Sequence, residues 1–164
     1  MDMTKLEGKL PSGSLDFTVF EYILSLDDSD DNDSGQNLVF GFLGKAEETF
    51  DSIEESLLYT PRALSSPPPL RQRNSKYYNL ANMMFLLSSI SIVLELIKVT
   101  DGLLTVERYS LGQNEDRTEA PDSDDLDLRL ERVTKAYDIV KNDYGDVEGP
   151  LREFYEELGD QKGN

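Results

Sequence analysis

The chain is 164 residues long and carries 33 Asp and Glu against 16 Lys and Arg, a formal net charge of −17. It contains no histidine, no cysteine and no tryptophan. Imidazole bases, thiolate nucleophiles, disulfides and the usual zinc, iron or copper sites are therefore excluded, and no cofactor is expected.

The charge is unevenly placed. Residues 1–60 hold 14 acids and 3 bases, residues 61–114 hold 3 acids and 6 bases, and residues 115–164 hold 16 acids and 7 bases. An apolar, slightly basic middle thus lies between two acidic arms. Such asymmetry speaks to partners and solubility rather than to fold. It suits a face that meets a basic protein; surplus surface acid in a high-salt (halophilic) setting is the blander reading. A chain of this length buries a real core in one domain, although a hydrophobic share of 38% points to acidic segments outside it. No basic region followed by an apolar run opens the sequence, so a cytoplasmic protein is expected. The most apolar stretch, 80–97, is interrupted by Asn82, Ser88, Ser89, Ser91 and Glu95. It reads as a buried core element rather than a membrane span.

Taken in order, residues 1–13 read as a flexible N-terminus and residues 14–164 as a single domain. Ser14 is a candidate cap for a short element at 15–26, with Phe17, Phe20 and Leu24 on one helical side, though a strand also fits. Residues 27–35 form an acidic loop too densely charged to hold a helix. Within it, Asp30-x-Asn32-x-Ser34-Gly35 matches the first half of a helix–loop–helix calcium site, but the twelfth position is Gly41 where a bidentate Glu belongs. Val39, Phe42, Leu43, Ala46, Phe50, Ile53 and Leu57 then recur at helical spacing, giving a helix over 37–59 that Pro61 stops. Its wet side carries Glu47, Glu48, Glu54 and Glu55, a fixed carboxylate array that could imitate a phosphate backbone.

Residues 61–74 are a Pro-rich linker with Pro67-Pro68-Pro69, and Arg71 and Arg73 are its candidate contacts for an acidic surface. From Ser75, Tyr77, Tyr78, Leu80, Ala81, Met84 and Leu87 suit a helix. Beyond Ser88-Ser89 the polar side shifts to Ser88, Ser91, Glu95 and Lys98. The β-branched residues of 90–100, followed by Asp101-Gly102, admit a β-hairpin over 92–111 instead. Residues 79–108 also resemble a winged helix-turn-helix, but Lys98 is the lone base of its reading helix and the acidic arms repel phosphate, so direct nucleic-acid binding is not expected. After a polar linker at 112–123, Asp124 or Asp125 caps a helix with a narrow seam of Leu126, Leu130, Val133, Tyr137, Val140 and Tyr144, ending at Gly145. Pro150 opens a last short helix.

These features predict a mainly α fold, a compact bundle of four to six helices around the apolar segment; an α+β chain with a winged-helix-like element is the alternative. The predicted role is a non-catalytic acidic protein-interaction module. A nucleic-acid-mimicking inhibitor of a basic protein and a winged-helix transcriptional regulator are the alternatives. The partner is expected to be a protein with a basic surface or a helix, or a second copy of the chain, and the seam 126–144 is its expected helix-binding face.

Overall fold

The computed structural model describes residues 3–25, 34–58, 70–94, 96–121 and 124–162. The described residues form helices α1 (Met3–Lys9), α2 (Phe17–Ser25), α3 (Ser34–Leu58), α4 (Leu70–Val93), α5 (Ile97–Ser110) and α6 (Leu126–Lys162). Helices α3, α4, α5 and α6 close a ring, with α3 against α4, α4 against α5, α5 against α6 and α6 against α3. Helix α1 rests on α6, and α2 on α3. This is the mainly helical bundle that the periodicity predicts. None of the described helices is long and apolar enough to cross a membrane.

Helix α6 is the spine. Its apolar residues run Leu126, Leu130, Val133, Tyr137, Val140, Tyr144, Val147, Leu151, Phe154 and Leu158, alternating steps of four and three without a break. The helix therefore does not end at Gly145, and Pro150 lies inside it. An interior proline costs about 3 kcal/mol through its missing donor and ring clash. Burial of Val147, Leu151, Phe154 and Tyr155 on the far side offsets that cost. Phe20 of α2 sits 5.8 Å from the Phe154 ring and Phe50 of α3 sits 5.0 Å from the Tyr144 ring. The start is capped by Asp125, whose Oδ1 accepts from the amides of Asp127 and Leu128, each at 3.1 Å.

Three further expectations are corrected. Residues 3–9, read as flexible, are helical because Leu6 and Leu10 bury against the core and Lys9 pairs with Glu153 at 2.6 Å. Helix α2 is capped by Asp16, which accepts from Thr18 N at 2.9 Å; Ser14 is buried instead, its carbonyl accepting from Ile97 N at 3.1 Å. The stretch 97–110 is one helix, so the hairpin over 92–111 and the wing strand are absent, and an isolated bridge between Gln113 and Glu119 is the one β feature among the described residues.

The reason α5 forms is its inward stripe, Val99, Leu103, Val106 and Ser110, at steps of four, three and four. Its threonines tolerate the helix by bonding locally: Thr105 Oγ1 donates to the Asp101 carbonyl at 2.9 Å, and Thr100 Oγ1 lies 2.8 Å from Ser91 Oγ. Gly102 is not a turn residue. A Cβ placed there would lie 2.6 Å from Val140 Cγ2, so glycine is what lets α5 approach α6.

Of the sequence-derived linkers, 59–69 and most of the acidic loop 27–35, including Asp30 to Asp33 of the calcium half-motif, lie outside the described residues. Ser34 and Gly35 begin α3, and residues 70–74 belong to α4 rather than to the Pro-rich linker. The 112–123 linker folds back on itself where described, with Asn114 N donating to Thr118 O at 2.8 Å and Ala120 N to Gly112 O at 2.9 Å.

Candidate functional site on the outward face of α4

The stretch read as a buried core element is buried on one side only. Tyr77, Leu80, Ala81, Met84, Leu87, Ser88 and Ser91 of α4 face the core. The opposite side exposes Tyr78 at 60%, Phe85 at 54%, Leu86 at 63%, Ile92 at 50% and Val93 at 53% of their surfaces. Tyr78, Phe85 and Ile92 are spaced by sevens, and Leu86 and Val93 lie beside them with the exposed Asn82 and Ser89 between. At 100° per residue these positions fall in a stripe about 120° wide running the length of the helix. Ile97, at the start of α5, is 41% exposed.

The last turns of α4 are inverted relative to an ordinary surface helix. Ser88 and Ser91 point inward while Ile92 and Val93 point to solvent. Burying the serines is tolerable because their hydroxyls donate back to carbonyls one turn earlier, Ser88 Oγ to Phe85 O at 2.8 Å and Ser91 Oγ to Ser88 O at 2.9 Å. Leu94 and Leu96, between α4 and α5, are buried as well. Among the described residues, the exposed large apolar residues elsewhere are Tyr22 on α2 and Leu128 and Ile139 on α6, well separated along the chain. Scattered apolar residues are ordinary on protein surfaces; a contiguous stripe marks a binding surface.

The residues singled out from sequence lie elsewhere. The expected helix-binding seam is filled from within the chain: Leu126, Val133, Tyr137, Val140 and Tyr144 are buried and Leu130 is half-buried. The narrow stripe that suits a partner helix suits α3 and α5 equally, so it is a core element, not an open face. Tyr137 OH donates to Phe50 O and Tyr144 OH to Leu43 O, both at 3.2 Å. Burial, then the neighbouring Glu54, raises the Tyr137 phenol above its ordinary range, so it stays a donor.

The carboxylate array on α3 is divided. Glu47 pairs with Arg152 at 2.6 Å, Arg152 also holds Glu148 at 2.9 Å, and Glu54 pairs with Lys141. Glu48 takes Lys45 at 3.2 Å within its own helix, while Glu55 is exposed. Two of the four carboxylates thus clamp α3 to α6. The hydrogen bond from Lys141 is the main cause holding Glu54 below the usual carboxylate value. Arg71 and Arg73 lie in the first two turns of α4. Lys98 is half-buried on α5.

A groove of about 450 Å³ between α5 and α6 is lined by Thr105, Tyr109, Arg132, Lys135 and Ile139 among others. Its charged groups serve the chain itself. The Arg132 guanidinium lies 4.1 Å over the Tyr109 ring and donates to Gln113 O and Asn114 Oδ1 at 3.3 Å, and Lys135 pairs with Glu131 at 2.6 Å. Among the described residues no three acids gather as a metal site would require.

Periodicity concealed the outward face because apolar residues occupy both sides of α4. The available signal was the heptad Tyr78, Phe85, Ile92, which runs beside the inward series rather than within it.

No protein-family model matches the chain. Over 142 residues it is 23% identical to Multistep phosphorelay regulator 1 of Schizosaccharomyces pombe, a match covering 87% of this chain and 42% of that protein. The chain spans less than half the length of this relative.

Proposed function

We propose that the protein is a non-catalytic interaction module that docks a protein partner on the outward face of α4. The observation that carries this reading is the stripe of Tyr78, Phe85, Leu86, Ile92 and Val93, each at least half exposed on a helix whose other side is core. Keeping five large apolar side chains in water serves no folding purpose, whereas burial against a partner removes that surface from solvent.

The likeness to a protein named as a phosphorelay regulator supports a role in which proteins meet rather than one in which a small molecule is transformed. A phosphorelay passes a phosphoryl group from side chain to side chain. This chain has no imidazole and no thiol, and the outward face of α4 presents hydroxyls, Tyr78 and Ser89, with no carboxylate. In such a setting the module would hold or shield a relay partner without accepting the group. Phosphate mimicry by the α3 acids gains less support, because Glu47 and Glu54 are already paired with α6.

The test is a tagged pull-down from native cells with the wild-type chain and with the double substitution Phe85→Gln and Leu86→Gln. Both side chains are exposed, so the helical circular-dichroism spectrum should be unchanged. A stoichiometric partner lost in the variant is the expected result. A partner retained by a folded variant would place the interface elsewhere.

A further inference from the structure

The last turns of α6 already hold a helix, and the fit is written in both sequences. Lys5-Leu6 and Lys9-Leu10 repeat a base followed by leucine at a spacing of four. Glu153-Phe154 and Glu157-Leu158 repeat an acid followed by a large apolar residue at the same spacing. Residues four apart share a helix face, so each segment carries an apolar row beside a charged one. The two meet antiparallel, Lys5 with Glu157 at 3.9 Å and Lys9 with Glu153 at 2.6 Å. Leu6 is completely buried, and Leu10, whose amide still bonds to the Leu6 carbonyl at 3.1 Å, is nearly so. Both belong to the core cluster that contains Phe154, and Leu158 packs against it.

Helix α1 is weakly built for that place. It has seven residues, Gly8 among them. A helix this short is marginal on its own, and an internal glycine weakens it further. The four side chains of its ion pairs are each at least 36% exposed, so the pairs add little and are screened by salt. A turn follows, in which Ser14 N donates to Pro11 O at 3.1 Å and Gly13 takes a φ of 74° that suits glycine. Ser12 and Gly13 are exposed, whereas Ser14 is buried and its carbonyl is held by Ile97 N. The chain is thus anchored at Ser14 and hinged at Gly13, with α1 on the far side of the hinge.

We infer that α1 is a displaceable occupant, and that the acidic and apolar end of α6 is a docking site for a basic amphipathic helix of a partner protein, one that repeats Lys or Arg before leucine every four residues. Helix α1 itself displays the chemistry that fits Glu153, Phe154, Glu157 and Leu158. A partner helix longer than α1 and free of glycine makes the same contacts with less fraying, and its bases approach a chain of net charge −17. Tethering gives α1 a high effective concentration, so the site stays closed until a stronger helix competes for it. The site is separate from the apolar stripe of α4, and each can fail without the other.

The experiment follows backbone amides of the full isotope-labelled chain, alone and then with a synthetic helical peptide that repeats Lys-Leu every four residues, a Gln-Leu peptide serving as comparison. Alone, the amides of Met3–Lys9 should exchange about tenfold or more faster than those of Leu103 and Val106 on α5, and faster still at high salt. The Lys-Leu peptide should move amides between Leu151 and Leu158 together with those of α1. It should bind Leu6→Ala about threefold or more tighter than wild type, because the resident helix holds less firmly. The double substitution Lys5→Gln and Lys9→Gln, confined to exposed side chains, should give the same gain even if Leu6→Ala folds poorly. Adding Glu153→Gln and Glu157→Gln to Leu6→Ala should undo it. Exchange of Met3–Lys9 as slow as that of α5 would make α1 a fixed part of the core and overturn the displaceable occupant. Peptide shifts confined to α3, or equal binding of the Gln-Leu peptide, would overturn the docking site. Self-association of the wild-type chain in sedimentation, abolished by Leu6→Ala, would assign the site to α1 of a second copy instead.

Discussion

At the scale of single residues, the account turns on which side chains are locked in place. Val133 is completely buried on α6. Val133→Asp places a carboxylate in the apolar core, so the variant should lose its cooperative thermal transition; a folded monomer would instead mean that the seam is open to solvent. Gly102 lies so close to Val140 that Gly102→Ala must push α5 from α6. We expect a loss of about 1–3 kcal/mol in urea unfolding, partly restored by adding Val140→Ala, which removes the clashing methyl groups. The Glu54–Lys141 pair sets a pH dependence. The folded carboxyl titrates below the ordinary value of 4.5, chiefly through the hydrogen bond from Lys141. Its contribution to stability is therefore full above that ordinary value and lost as pH falls through the lower folded one. Lys141→Ala should be less stable than wild type at about pH 7, and the two should converge at about pH 3, as read from urea midpoints. An unchanged gap would show that the pair contributes nothing.

At the scale of elements, the helices were legible wherever one side was apolar and the other was not. The inward series of α3 and α6 could be read directly, and the cap of α6 to within one residue, Asp124 or Asp125, of which Asp125 is the acceptor. Boundaries failed where a local signal met a longer-range one. Gly145 and Pro150 are ordinary stop signals, yet the series continues through Val147, Leu151 and Phe154, and packing against α2 and α3 overrides the breakers. This gives a prediction: Pro150→Ala should stabilise the protein by about 1–2 kcal/mol, since it restores a helical donor where the backbone is already helical. Destabilisation would mean that the proline sets a needed bend. Asp101-Gly102 misled in the opposite direction. A glycine required for close helix approach has the same letters as a hairpin turn, and only the position of Val140 distinguishes them. The exposed apolar face was hidden for a related reason. Helix α4 is apolar on two sides, and sequence periodicity does not say which side is covered.

At the scale of the whole molecule, acid and apolar surface are segregated. The acidic helices α3 and α6 hold each other through Glu47, Glu54, Arg152 and Lys141, while α4 turns its apolar stripe outward. Raising salt should weaken the first set only slightly, because exposed ion pairs contribute about 0–1 kcal/mol each. The same change should leave docking through the apolar stripe of α4 largely intact, since apolar burial is not screened. The most direct measurement is site-specific photo-crosslinking in native cells, with the reactive side chain placed at Phe85 and, as matched controls, at Leu128 and Ile139, which are equally exposed but isolated on α6. The account predicts one discrete heterologous adduct from position 85, abolished by Leu86→Gln together with Ile92→Gln, and none from the controls. Adducts from 128 or 139 with none from 85 would contradict it.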